Sequence, residues 1–101
     1  MIIHELKCWP EFFTPIVDGR KTFDIRKCDR AFSPGDQLFL REYDPYSKGY
    51  TGNEILVEVT YILFAIDFRG LEHGYCAMSI RIVDEPWLQE KEQEIEEFAY
   101  T

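Results

Sequence analysis

The chain has 101 residues, enough for one domain with a single core and no disulfide staples. With 46% hydrophobic and 30% charged residues it is not a disordered chain, and its net charge of −8 is unevenly placed. Asp84 to Thr101 holds seven acids and one base, a balance of −6; residues 1–83 hold 12 acids and 10 bases, −2, so a broad electrostatic grip on duplex DNA is not expected. The natural division is a domain over 1–83 and an acidic tail or short helix over 84–101.

Residues 2–8 alternate loosely, with His4, Leu6 and Cys8 on one face, and predict a short strand that Trp9-Pro10 ends. His4 reads as a buried strand histidine. Phe12, Phe13, Ile16 and Val17 recur at helical spacing, with Gly19 as the stop. Pro15 implies either a late start, with Thr14 as N-cap and Pro15 at the first position, or a kinked helix. A second strand covers Thr22–Lys27. Phe23 and Ile25 are expected to feed a core, while Thr22, Asp24 and Arg26 leave the opposite face with Lys21 at the strand's start.

The Pro34-Gly35-Asp36 turn introduces a third strand, Gln37–Tyr43, whose inward set of Leu38, Leu40 and Glu42 puts a carboxylate inside near the strand's end. Residues 44–53, with Tyr46 and Tyr50, read as a mobile hairpin-type connection. Strand four runs from Glu54 to about Phe64, with Ile55, Val57, Val59 and Tyr61 on one face. A loop with Gly70, His73 and Gly74 leads to strand five, Tyr75–Val83, which directs Cys76, Met78, Ile80 and Ile82 one way. Trp87 to Phe98 predicts a marginal amphipathic helix whose glutamates form a solvated face. The fold class is mainly β with minor α, a small barrel of about five to six strands with one or two peripheral helices.

Cys8, Cys28 and Cys76 are odd in number and lack a CxxC pair, and no secretory signal precedes them; they read as free thiols in a reducing cytoplasm. Without ligand spacing, neither a metal site nor a cofactor is expected. No apolar run approaches the roughly 18 residues that span a bilayer, so no membrane partner is expected.

The run Gly19-Arg20-Lys21-Thr22-Phe23-Asp24-Ile25-Arg26 is the densest polar chemistry in the chain. Lys21 is a ligand cation or a surface lysine. Asp24 and Arg26 leave one strand face as a structural salt bridge or as a clamp, with Arg26 holding a phosphate or base carbonyl and Asp24 a base amine. Trp9 is a stacking platform or a core anchor. Glu42 is a satisfied barrel acid or a general base.

This run resembles the GxKxxExR signature of the ASCH domains, a branch of the PUA-like superfamily. The Pro34-Gly35-Asp36 turn and the Leu40–Asp44 run fit the same pattern over about residues 3–83. The HELK segment followed by Trp9-Pro10 resembles a compact stand-alone bacterial or phage-type group of unassigned function. The resemblance implies a PUA-like pseudo-barrel with a cleft beside the motif strand and a link to RNA or modified nucleosides. Some small bacterial members hydrolyse an amide on acetylated cytidine with a Lys, a Thr and a Glu. Lys21 matches that lysine and Arg26 the signature arginine. Asp24 stands at the signature acid, one methylene shorter, where the hydrolases place their Thr, so that hydroxyl is absent; Glu42 and Glu72 are the candidates for the third residue.

The expected function is an RNA- or nucleotide-binding module with Trp9, Lys21, Asp24, Arg26 and Glu42 lining the cleft. The alternatives are an amidohydrolase on a modified nucleoside such as N4-acetylcytidine, with Lys21 and Asp24 or Glu42 as catalytic groups, and a protein-interaction domain.

Overall fold

The computed structural model describes residues 1–88. The first alternating segment is strand β1 (Ile3–Cys8), with His4, Leu6 and Cys8 buried and the residues between them exposed. Helix α1 (Pro10–Val17) starts earlier than the Thr14 cap predicted. Pro10, not Pro15, takes the first helical position, where a missing N–H has no helical partner to lose. The Trp9 carbonyl accepts the N–H groups of Phe12 and Phe13, each at 2.9 Å. Pro15 lies inside the helix and forgoes one backbone bond. Phe13 and Ile16 supply its buried face.

Gly19 ends the helix as expected, at φ +82°, with its N–H on the Ile16 carbonyl at 3.1 Å. Two residues on, the Lys21 N–H takes the Pro15 carbonyl at 2.9 Å, which fixes the backbone of Lys21 against the helix end. The chain then enters β2 (Phe23–Lys27) and continues through β3 (Gln37–Asp44), β4 (Gly49–Phe64), a 3₁₀ turn at Ala65–Asp67 and β5 (Tyr75–Ile82).

The five strands form one sheet in the order β1-β3-β4-β5-β2, curled into a half-barrel consistent with the pseudo-barrel expected. Only β1 and β3 run parallel; every other pair is antiparallel. α1 and its closing turn therefore carry the chain from one edge strand directly to the other. Leu38, Leu40, Val57, Val59, Cys76 and Met78 from the three central strands form the middle of the core.

Three segments beyond β2 also differ from the sequence reading. The connection between strands three and four is only Pro45–Lys48, because β3 and β4 pair out to Asp44 and Gly49; cross-strand pairing outweighs the turn-forming residues of 49–53. Gly52, at φ +96°, is accommodated within the strand. A register shift between Val59 and Tyr61 reverses the inward face of β4, so Ile62 is buried and Tyr61 is exposed. Trp87 joins the sheet instead of opening a helix: it exchanges two 2.7 Å backbone bonds with Glu54, and Leu88 packs against the core. The remainder of the helix expected to Phe98, and of the acidic tail from residue 89 onward, lies outside the described residues.

His4 and Asp36 clamp β1 to the turn before β3. Asp36 is buried and accepts His4 Nε2 at 2.9 Å, the Ile2 N–H at 3.1 Å and the Ser33 N–H at 3.1 Å. The His4 bond first, then these backbone donors, hold the Asp36 carboxyl below its ordinary value of 3.8 against the opposing effect of burial. A carboxyl lowered in the folded state contributes stability that is present above its unfolded value and is lost as pH falls through its folded one.

Asp36→Asn is expected to destabilise by about 1–3 kcal/mol near neutral pH in urea unfolding, the scale of weakening bonds to a buried carboxylate. The gap between variant and parent narrows on acidification from about pH 5 to about pH 3; a constant gap would remove the linkage. Gly19→Ala meets nothing within 4 Å at its new Cβ and so carries only the backbone cost of positive φ, about 1–2 kcal/mol in the same assay.

Candidate functional site

The two edge strands, β1 and β2, face each other across a seam that no ladder closes. Backbone parity makes this seam polar. Thr22 accepts from Ile80 at 3.0 Å and Cys28 donates to Gly74 at 2.8 Å, so alternate residues Asp24 and Arg26 turn their backbone groups toward β5. The N–H and C=O groups of Phe23, Ile25 and Lys27 consequently point to the open edge.

β2 is turned the opposite way from the sequence expectation. Asp24 is buried, whereas Phe23 and Ile25, expected in the core, are 47% and 52% exposed. The inversion is tolerated because the buried carboxylate is paired on both oxygens: Oδ2 accepts Arg26 Nε, and Oδ1 lies 3.6 Å from Lys21 Nζ. Arg26 reaches further, donating from Nη2 to the Lys7 carbonyl at 3.4 Å. This side-chain bond spans the seam where a backbone ladder does not.

A cleft of about 710 Å³ opens beside this triad. Lys21, Asp24 and Arg26 all line it, as the sequence reading required, and so does Trp9, which is 48% exposed. Lys21 Nζ sits 5.3 Å from the Phe12 ring centre and 5.2 Å from that of Phe23, a cation held between two half-exposed aromatic rings. The arrangement offers what a planar, polar ligand requires: ring faces, fixed cations and edge-strand amides.

Glu42 is not among the residues lining this cleft, contrary to expectation. It does point inward, but it accepts Thr51 Oγ1 at 2.8 Å and Asn53 Nδ2 at 2.9 Å, beside a separate cavity of about 140 Å³. α1 divides the two spaces, with Phe12 lining the cleft and Phe13, Thr14 and Val17 lining the Glu42 cavity. Glu72 lies in the exposed loop before β5 and is also not among the cleft residues. Tyr46 is at the hairpin turn and almost fully exposed. Tyr50 packs edge-on against Tyr43 at 5.2 Å and under Arg41 at 3.9 Å.

Besides Phe12, Phe23 and Ile25, read as helix-face and core residues, sequence reasoning missed Lys7, Lys27, Tyr75 and Cys8 as cleft residues. Lys7 and Cys8 had a local signal, since they immediately precede Trp9; the other two needed the topology. Cys8 forms a buried thiol wall: burial first, then the Asp24 charge, push it up to about 11. Burial and the neighbouring Cys28 push Cys76 up to about 12. Among the described residues no group of three or more His, Cys, Asp or Glu side chains is placed to hold a metal ion.

A protein of Escherichia phage P2, "Uncharacterized 12.9 kDa protein in GpA 3'region", is 33% identical to this chain over 58 residues. That alignment covers 57% of this chain and 51% of the phage protein, so the chain spans about half the length of this curated relative. The family described as "Domain of unknown function (DUF3850)" matches residues 3–80, from the first residue of β1 to Ile80 within β5, and takes in the whole seam. The chain is a member of the DUF3850 family.

Proposed function

We propose that this domain is a cytoplasmic, PUA-like (ASCH-type) module that binds single-stranded RNA or a nucleotide-like ligand in the seam between β1 and β2. The observation that carries this reading is the distribution of charge. Five cations, Lys7, Lys21, Arg26, Lys27 and Arg30, line the cleft and the cavity beside it, against three carboxylates, Glu5, Asp24 and Asp29, a balance of +2. The rest of residues 1–88 holds five cations and eleven carboxylates, a balance of −6. A positive island on an acidic chain, walled by Trp9, Phe12 and Phe23, suits an anion that carries a flat ring. The likeness of Gly19–Arg26 to the ASCH signature supports the same ligand class.

The amidohydrolase alternative has less support. Lys21 Nζ faces the Asp24 carboxylate as an ion pair, and Glu42 is engaged in a separate cavity. Among the described residues no other acid lines the 710 Å³ cleft beside Asp24 to share proton transfer. No helix among the described residues is long and apolar enough to cross a membrane.

Trp9 and Lys21 are the informative positions, since Arg26→Ala also strips the nearer partner from a buried carboxylate. In fluorescence anisotropy with labelled single-stranded RNA at low salt, the parent is expected to bind, and more weakly as salt rises. Trp9→Ala should cost about 1–3 kcal/mol, the value of one stacked base, with circular dichroism unchanged. Lys21→Ala should also weaken binding. A parent that binds neither RNA nor free nucleotides, or variants that bind as the parent does, would refute the reading.

A further inference from the structure

The space along the seam has two unlike compartments that meet. The larger, about 710 Å³, has aromatic walls in Trp9, Phe12, Phe23 and Tyr75. The smaller, about 410 Å³, has no phenylalanine or tryptophan; Arg30, Asp29, Glu5 and Tyr50 line it. Lys7, Arg26 and Lys27 line both and mark their junction. The two compartments therefore differ in chemistry: one accepts a ring face, the other a small anion, and the boundary between them is cationic.

The junction groups are set for an anion. Arg26 is fixed by Asp24 on one side and by the Lys7 carbonyl on the other, so its guanidinium has little freedom to lose on binding. Lys27 is exposed and makes no ion pair among the described residues. Among the described residues the Arg30 side chain pairs with the exposed Asp29 alone, at 3.8 Å, a contact an incoming anion can displace. Phe23 to Lys27 covers about 13 Å of strand, long enough for a ring and an attached anion to lie side by side.

We infer that the ligand is a phosphate ester of a ribonucleoside, with the base against Trp9, Phe12 and Phe23 and the phosphate held by Lys27 and Arg30 across the Arg26 junction. This rests on the nucleotide reading above and narrows it: the site selects nucleotides over free nucleosides. The phosphate belongs either to a mononucleotide or to the first linkage of a single strand, and both carry the same chemistry into the smaller compartment.

Isothermal titration of the full chain with the common ribonucleosides, their 5′- and 3′-monophosphates and the matching dinucleotides tests this. At least one monophosphate is expected to bind about tenfold more tightly than its nucleoside, the scale of one charge-assisted hydrogen bond. A dinucleotide that binds more tightly still identifies the single strand as the source, and one that binds no better identifies the mononucleotide. Arg30→Ala lowers monophosphate affinity and narrows the gap; Phe23→Ala lowers affinity for nucleoside and monophosphate together. Equal affinity of parent protein for nucleoside and monophosphate, or a gap untouched by Arg30→Ala, overturns the phosphate assignment and leaves base binding standing. If neither class binds, both fall.

Discussion

Asp24 is a carboxylate buried on an edge strand, and the groups that neutralise it decide what the seam between β1 and β2 can be. An unpaired charge in that position would cost several kcal/mol. Lys21 and Arg26 remove that cost from opposite oxygens, and each does a second thing. Lys21 is wedged between Phe12 and Phe23. Arg26 holds the Lys7 carbonyl on the opposite bank. One buried acid thereby engages two cations, one of them against two aromatic rings and the other across the seam. The helix end contributes too, because the backbone bond from Lys21 to Pro15 fixes where that cation starts.

The order of the sheet explains why the site lies where it does. The helix that follows β1 delivers the chain to the far edge, so the first two strands in sequence are the last two in the sheet. Their free edges then face one another. Residues separated by about twenty positions, such as Lys7 and Arg26, meet there through a side chain on a backbone carbonyl and not through a ladder. The central strands carry the middle of the core and the seam gathers charged side chains, with Leu6, Cys8 and Asp24 buried residues that also line the seam.

Much of this was legible in the residues. Period-two alternation located all five strands, Gly19 marked the helix end, and the density of charge at Gly19–Arg26 pointed to the triad. Other features were not local. Pro10 and Pro15 both suit the first helical position, and the local pattern does not say that the earlier one takes it. The glycines at 49 and 52 read as loop until pairing with β3 absorbs them. Phe23 and Ile25 look like core residues because strand amphipathicity has no sign: the pattern gives two faces but not which one is inward. Glu42 was placed inward correctly and still missed the cleft, since α1 partitions the interior in a way no spacing reveals. Lys27 and Arg30 were overlooked because neither the opposing strand nor the second compartment exists until the sheet curls.

The open seam also bears on how the chain behaves in company. An unpaired strand edge is ordinarily a template for another molecule's backbone, and the outward Ile3, Phe23 and Ile25 would make such a pairing adhesive. Here the two edges turn toward each other with Lys7 and Lys27 standing along them, so a second copy approaching edge-on meets like charge. On the proposed reading, the cations that hold a small anion would also oppose fibrillar self-stacking, and salt screening would loosen both restraints at once.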